Sequence, residues 1–234
     1  MFERPHHRRV ARVLEALDGA HLRQRGCLFG GGTAIALRFG EYRESVDIDF
    51  LVSDLAAYRQ LRQVLTGAEG LAAIQRAGAP PLQPIGELRA DQYGIRTRVQ
   101  MDDQPIKFEI VFEARIALDA PGKADALCGV STLTTLDMAA SKLLANSDRW
   151  ADDGVFSRDL IDLAMMKPAL PLLRRAVVKA EGAYGGAVRR DLARAIDRMQ
   201  DRTGWLERCM RMMGMDGTQA QLWQRIRSLR RVLA

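Results

Sequence analysis

Two aspartates separated by one residue are the clearest chemical feature of the sequence. The stretch Val46-Asp47-Ile48-Asp49-Phe50 alternates apolar and acidic residues. Side chains two positions apart in a β-strand lie on one face, so Asp47 and Asp49 would project together while Ile48 and Phe50 face the core. Two neighbouring carboxylates repel each other unless a cation lies between them. Hard oxygen ligands suit Mg²⁺ or Mn²⁺, so the pattern predicts a metal site.

A glycine-rich turn precedes this acidic pair. The apolar residues Cys27-Leu28-Phe29 lead into three consecutive glycines and a threonine, and apolar residues at helical spacing follow. This order predicts a strand, a tight turn and the N-terminus of a helix. Unpaired N–H groups and the positive end of the helix dipole favour an anion there, most often a phosphate. A phosphate cradle followed by a metal-binding acidic pair is typical of phosphoryl or nucleotidyl transfer sites.

These motifs resemble those of the AbiEii-type nucleotidyltransferase toxins, a branch of the polymerase-β-like superfamily. The resemblance is carried by a Gly-Gly turn, a helix and an acidic pair on the next strand. It implies that Asp47 and Asp49 are catalytic metal ligands for Mg²⁺ or Mn²⁺, with a nucleoside triphosphate as substrate. The residues that it assigns to nucleotide binding are Gly31, Gly32, Thr33, Arg43, Ser45 and Lys142.

Glu109 is the candidate for a third carboxylate. It lies in the predicted strand Ile106 to Phe112, which follows a predicted strand from Tyr93 to Met101. In polymerase-β-like enzymes a neighbouring strand supplies the third metal ligand, and Glu109 would take that catalytic role. The alternative is an ordinary exposed strand position at which Lys107 and Glu109 are simply solvated.

A second set of candidates lies further along the chain. Lys142 stands in an apolar helical stretch, and the sequence Arg158-Asp159-Leu160-Ile161-Asp162 opens the next helix, with Ser157 as its expected cap. The resemblance implies that Lys142 contacts the triphosphate and that Asp159 pairs with it or helps to activate the attacking hydroxyl. A lysine is a suitable point charge for phosphate. The alternatives are a snorkelling lysine, an ion pair of Arg158 with Asp162, and a catalytic role for Asp162 instead of Asp159.

The elements that must position these residues indicate an α+β (α/β) fold. We expect a polymerase-β-like nucleotidyltransferase domain with a small mixed sheet over residues 1–130. A helical domain over residues 131–234 would complete the active site and carry a basic surface. An amphipathic helix is predicted from Arg8 to Leu22, and one from Leu55 to Leu65 with Asp54 as its cap. Little can be predicted between Gly67 and Pro84.

Composition limits the remaining roles. The three cysteines suggest neither a disulfide framework nor a zinc site, and His6, His7 and His21 are interpreted as surface or cap residues. No apolar run is long enough for a membrane span, so a cytoplasmic location without membrane contact is expected. Residues 167–234 carry 15 basic and 6 acidic side chains, against 20 and 23 in residues 1–166. This asymmetry favours contact with a polyanion over a merely solvated arginine-rich face.

Together these observations predict an enzyme that moves a nucleoside monophosphate from a triphosphate to a hydroxyl. The resemblance implies RNA as the acceptor, in particular the tRNA 3′ end, and the toxin of a toxin–antitoxin or phage-defence pair with an antitoxin partner. Alternatives are nucleotidylation of a protein or a small molecule, and a non-catalytic nucleotide- or RNA-binding module. The sequence identifies neither the triphosphate nor the antitoxin, and it does not fix the oligomeric state.

Overall fold

The computed structural model describes residues 2–233 of the chain. These residues form two compact units. Among them, unit 1 comprises residues 2–38 and 45–134, and unit 2 comprises residues 39–44 and 135–233. The short segment Phe39–Glu44 therefore packs with residues that follow it by more than ninety positions. The division into domains at residues 130 and 131 stays a sequence prediction.

Within the described residues, unit 1 contains four α-helices, a short 3₁₀-helix (Gly70–Ile74), a five-stranded sheet and a small two-stranded sheet. Its elements in chain order are α1 (Pro5–Glu15), α2 (Gly19–Gln24), β1 (Leu28–Gly30), α3 (Gly31–Arg38), β2 (Ile48–Val52), α4 (Leu55–Leu65), β3 (Gln83–Ala90), β4 (Gly94–Met101), β5 (Gln104–Phe112), β6 (Ala126–Leu127) and β7 (Val130–Ser131). The larger sheet has the order β1-β2-β5-β4-β3. Strands β2 and β5 run parallel and the other neighbours antiparallel, so the predicted small mixed sheet is confirmed.

The larger sheet has one apolar face and one charged face. Ile48 and Phe50 are fully buried, whereas Asp49 between them is partly exposed, as the alternation predicts. The ring of Phe50 lies 5.6 Å from that of Phe29 and 5.7 Å from that of Phe108, measured between centroids. This row of aromatic rings crosses β1, β2 and β5, and it fixes the register that places the acidic residues on the opposite face.

Two features of unit 1 differ from the sequence predictions. The single helix expected from Arg8 to Leu22 is interrupted, because the Asp18 side chain accepts the N–H of His21 and caps a new helix. Strand β3 was not predicted, since it is an edge strand whose residues are mostly exposed and which includes Pro84 and Gly86. By contrast, the predicted cap of α4 is confirmed, since Asp54 accepts the N–H of Ala57.

Unit 2 is helical, which confirms the predicted C-terminal helical region. Its helices are α5 (Thr135–Arg149), α6 (Arg158–Met165), α7 (Leu170–Tyr184), α8 (Ala187–Asp201), α9 (Trp205–Met212) and α10 (Gln219–Ser228). Buried leucine, isoleucine and valine side chains of α5 to α8 form its core. No helix within residues 2–233 has the length and hydropathy needed to cross a membrane.

The start of α6 corrects one prediction. Ser157 does not cap the helix, because its backbone is left-handed with φ of 50° and its side chain makes no cap hydrogen bond. Its hydroxyl instead accepts the indole N–H of Trp205 at 3.0 Å. The Ser157 hydroxyl therefore makes a long-range contact with α9 and does not cap α6.

Candidate functional site

The glycine turn of unit 1 lies directly against the acidic pair. Helix α3 begins at Gly31, immediately after β1 ends at Gly30, and Gly30 is paired with Asp49 across the sheet. Gly31 has a positive φ of 66°. A Cβ atom built on Gly31 would collide with the Asp49 carboxylate. Only glycine permits this approach, which places the first turn of α3 and its positive dipole end beside a carboxylate.

The loop before the acidic pair is held from two sides. The hydroxyls of Thr33 and Ser45 lie 2.8 Å apart and share a hydrogen bond in the interior of unit 1. On the other side, the backbone N–H of Ser45 donates to Nε2 of His7 at 3.1 Å, and Nε2 of His6 lies 3.1 Å from the carbonyl oxygen of Val46. Two adjacent histidines of α1 thus hold consecutive residues of the loop, His7 as an acceptor and His6 as a donor.

The acidic residues belong to a charged array on two parallel strands. Asp49 of β2 is the direct neighbour of Glu109 on β5. Lys107 lies two residues earlier than Glu109 on the same face of β5, since side chains alternate along a strand. Asp47 lies immediately before β2, and the charges of Asp47 and Asp49 both act on Lys107. Asp47 and Asp49 are partly exposed, whereas Glu109 has only 9% of its surface exposed. The predicted carboxylates are therefore brought to one face, together with a lysine.

Both oxygens of Glu109 are engaged by cations. Oε1 accepts from Nε of Arg96 at 2.5 Å, and Oε2 lies 2.6 Å from Nζ of Lys107. Within residues 2–233, no group of three or more histidine, cysteine, aspartate or glutamate side chains is arranged to hold a metal ion. The three-carboxylate clamp is not assembled here, and a metal-binding role for Glu109 stays a prediction.

The remaining pair fits a single divalent cation. Mg²⁺ is commonly held by one or two carboxylates and completes its shell with water and substrate phosphates. Asp47 and Asp49 provide such a pair, partly exposed and beside a turn that a Cβ atom would obstruct. Asp47 and Asp49 would therefore hold the ion, and the N–H groups of α3 would face the phosphates.

Lys107 supplies positive charge to the same array. Partial burial would lower the pKa of Lys107, but its hydrogen bond to Glu109 and the attraction of Glu109, Asp49 and Asp47 raise it above the ordinary value. The lysine is thus charged at neutral pH. Its side chain is 47% exposed, so a ligand can approach the ammonium group.

In unit 2, Lys142 is buried within a network of charges. Its Nζ lies 2.9 Å from Oδ1 of Asp159 and 2.9 Å from Oδ2 of Asp162. Arg149 adds a two-point contact, with Nε and Nη2 at 2.7 and 3.0 Å from the two oxygens of Asp159. The pairing of Asp159 with Lys142, one of the roles implied for it, is thus present. Contact of Lys142 with a triphosphate stays a prediction.

Asp162 is the most enclosed member of this network. It has no exposed surface and accepts from the Tyr42 hydroxyl at 2.6 Å and from Nε and Nη2 of Arg43 at 2.7 and 2.9 Å. Arg43 is itself 5% exposed and also donates to the Glu44 carbonyl. The guanidinium is therefore engaged within unit 2, and its contact with the triphosphate stays a prediction. The alternative pair of Arg158 with Asp162 is replaced by the pair with Arg43.

The electrostatics favour the charged form of every member of the network. Burial would raise the pKa of Asp159 and of Asp162, but Lys142, Arg149 and Arg43 outweigh it and hold both carboxyl pKa values below the ordinary range. Burial would lower the pKa of Lys142, yet the two aspartates raise it. Three cations and two carboxylates leave the network with an excess of positive charge.

Several of these residues were missed by the sequence reasoning. His6 and His7 were interpreted as surface or cap residues, but His7 has no exposed surface. Arg96 carried no local signal because its partner Glu109 lies on another strand. The spacing of Lys107 and Glu109 could have indicated an ion pair, since both were predicted to share one face.

Comparisons with known proteins identify a family and a fold. The family model described as "Nucleotidyl transferase AbiEii toxin, Type IV TA system" matches residues 12–230, which is nearly the whole chain. Among curated proteins, none matches the chain. Two crystal structures from Helicobacter pylori share the fold at 18% identity. One is of a candidate nucleotidyltransferase, with a TM-score of 0.51 over 97% of this chain and 94% of that one. The other is of JHP933, with a TM-score of 0.50 over 97% and 91%.

The family match confirms the resemblance that the glycine turn and the acidic pair indicated. The structural matches confirm the mixed sheet followed by helices, and they bear on the fold alone at this level of identity. The chain belongs to the AbiEii family of nucleotidyl transferase toxins, whose members are described as toxins of type IV toxin–antitoxin systems.

Proposed function

We propose that this protein transfers a nucleoside monophosphate from a nucleoside triphosphate to a hydroxyl acceptor. The observation that carries the proposal is the contact of Gly31 with Asp49, which joins a helix N-terminus to a partly exposed carboxylate pair within unit 1. Phosphate and divalent metal are the two ligands that such a pair of features attracts. A nucleoside triphosphate bound to a metal ion supplies both.

In the proposed reaction, an acceptor hydroxyl oxygen attacks the α-phosphorus. A new P–O bond forms, the bond from the α-phosphorus to the bridging oxygen of the β-phosphate breaks, and pyrophosphate leaves. The hydroxyl proton passes to solvent. When bound, Mg²⁺ or Mn²⁺ offsets the charge that develops on the phosphate oxygens. The chain itself orients the phosphates through the N–H groups at the start of α3 and holds the loop of Asp47 through Ser45 and His7.

An RNA acceptor, in particular the tRNA 3′ end, is the second part of the proposal. Its support is the concentration of positive charge in residues 167–234. Many arginines there form ion pairs with acidic neighbours, but Arg190 and Arg194 keep more than half of their side-chain surface exposed. Exposed arginines can neutralise phosphates and release counterions, which gives binding energy without sequence readout.

The toxin role follows from the family. A nucleotide added to a tRNA 3′ end blocks aminoacylation, and such damage would require an antitoxin in the same cell. We therefore propose a toxin whose effect is opposed by a partner gene product, in the cytoplasm where tRNA is found.

The test is to incubate the protein with Mg²⁺, each α-labelled triphosphate in turn and total tRNA. Label is expected in RNA with the wild type and not with Asp47→Asn, which removes a metal ligand while keeping the side-chain size. Asp103→Asn is the matched control, since Asp103 is an exposed acid in the turn between β4 and β5, and it should transfer label at the wild-type rate.

Other outcomes would change the proposal in defined ways. Label on protein in place of RNA would establish protein nucleotidylation. Label on neither, with RNA retained at low salt, would favour a binding module without catalysis. RNA binding that weakens steeply with salt would support several phosphate contacts, since the logarithm of affinity falls by about 0.7 per contact for each tenfold rise in salt on single strands.

A further inference from the structure

The charged array of unit 1 places a lysine where a metal-dependent site would be expected to have only acids. Strands β2 and β5 lie side by side, with Asp49 on β2 and Lys107 and Glu109 on β5, and Asp47 lies immediately before β2. Neighbouring strands are ~4.8 Å apart, so an ammonium group on this face is within reach of all three carboxylates. Of the four residues in this array, three are acidic and Lys107 is basic.

Both oxygens of Glu109 already contact positively charged side chains. One oxygen is bound by the Arg96 guanidinium at 2.5 Å and the other by the Lys107 ammonium at 2.6 Å. The Glu109 side chain is only 11% exposed, so water or a hydrated ion has little access to it. A two-metal site needs carboxylates that bridge ions about 3.5–4 Å apart. In this array the third carboxylate is already occupied by cations of the chain.

The charge of the array leads to the same conclusion. Asp47, Asp49, Glu109 and Lys107 carry a net charge of −2, and the charge of Arg96 is balanced by its second partner, Asp91. One divalent cation on Asp47 and Asp49 neutralises this charge. A second divalent cation would be repelled by the nearby ammonium of Lys107. The carboxylate that could hold this ion, Glu109, already contacts two cations.

We propose that the ammonium of Lys107 takes the place of the second metal ion, so that the site binds one divalent cation. The inference rests on the proposed function, because it concerns the same site. In this arrangement Lys107 faces the acceptor hydroxyl and offsets its developing charge through a hydrogen bond. The half-exposed side chain leaves the ammonium open to that contact.

The experiment counts bound metal without requiring turnover. Mn²⁺ is titrated into the protein at a protein concentration above the dissociation constant, and free Mn²⁺ is followed by its electron paramagnetic resonance signal. The wild type and Lys107→Arg are expected to bind one ion per chain. Lys107→Ala is expected to bind two, because Oε2 of Glu109 then loses its cation and can accept a second ion, and the double variant Lys107→Ala with Glu109→Gln should return to one.

Arg98→Ala is the matched control. Arg98 is exposed on the same face and pairs with Lys107 in the antiparallel register, so its removal changes local charge without freeing Glu109. It should still bind one ion. A count of two in the wild type, or of one in Lys107→Ala that remains folded by thermal denaturation, overturns the proposal while leaving nucleotidyl transfer intact. A count of zero in the wild type overturns the metal-dependent function as well.

Discussion

Asp162 is expected to be essential for the stability of unit 2, and Asp162→Asn tests this. The side chain has no exposed surface and is contacted by four donor groups, from Tyr42, Arg43 and Lys142. Asparagine has the same size, but its amide nitrogen would face a donor and cannot accept. Two buried cations would lose a negative partner while the packing stays unchanged.

The expected loss is large. Removing one partner from a buried ion pair costs about 3–5 kcal/mol, because the other charge stays in the interior without compensation. The free energy of unfolding of unit 2 should therefore fall by about 3–5 kcal/mol. With a urea slope of about 2 kcal/mol/M, the unfolding midpoint would shift downward by roughly 2 M.

Tryptophan fluorescence during urea unfolding is a selective assay. All three tryptophans, Trp150, Trp205 and Trp223, belong to unit 2, so the signal reports that unit. The matched control is Asp153→Asn, which removes an ion pair with Arg198 and Arg202 at a site where the Asp153 side chain is 49% exposed.

Exposed ion pairs contribute about 0–1 kcal/mol, so the control should unfold close to the wild type. Asp162→Asn with a midpoint within the error of the wild type would refute the reasoning. Equal losses for Asp162→Asn and Asp153→Asn would also refute it, because burial would then not decide the energy of these pairs.

Three further results are expected. Gly31→Ala should destabilise unit 1 by about 1–3 kcal/mol in thermal unfolding and abolish nucleotide transfer, since φ is positive and the new Cβ collides with the Asp49 carboxylate; full activity would contradict this. His7→Ala should reduce kcat by tenfold or more while RNA affinity is unchanged, because the buried N–H of Ser45 loses its acceptor; a change in RNA affinity alone would contradict it. The depressed pKa of Asp159 means that its stabilising contribution is present above the ordinary value of 3.8 and is lost as pH falls through the lower folded value. The fluorescence midpoint should therefore stay level near neutral pH and decline below about 3.8, whereas a decline beginning above pH 5 would contradict it.

The local chemistry of the site could be predicted because it lies in short stretches. The turn before α3 and the alternation around Asp49 are each readable within ten residues, since strand and helix periodicities assign their faces. The parallel pairing of β2 with β5 then brought Glu109 beside Asp49.

The sequence could not show contacts between residues that are far apart along the chain. The pair of Arg43 with Asp162 spans 119 positions, and that of His7 with Ser45 spans 38. No periodicity or spacing reports such contacts, because they depend on the packing of whole elements. For the same reason, the face on which Glu109 lies could be predicted from the sequence, but its ion pair with Arg96 could not.

The most direct test of the central claim follows both ends of the triphosphate in one reaction. The protein is given Mg²⁺, tRNA and a triphosphate labelled with ³²P at the α-phosphate in one sample and at the γ-phosphate in another, alongside Asp47→Asn. Attack at the α-phosphorus predicts α-label in the acceptor and γ-label in pyrophosphate, both absent with Asp47→Asn. Label from the γ-phosphate in the acceptor, γ-label in inorganic phosphate, or full transfer by Asp47→Asn would contradict a nucleotidyl transfer site built on this acidic pair.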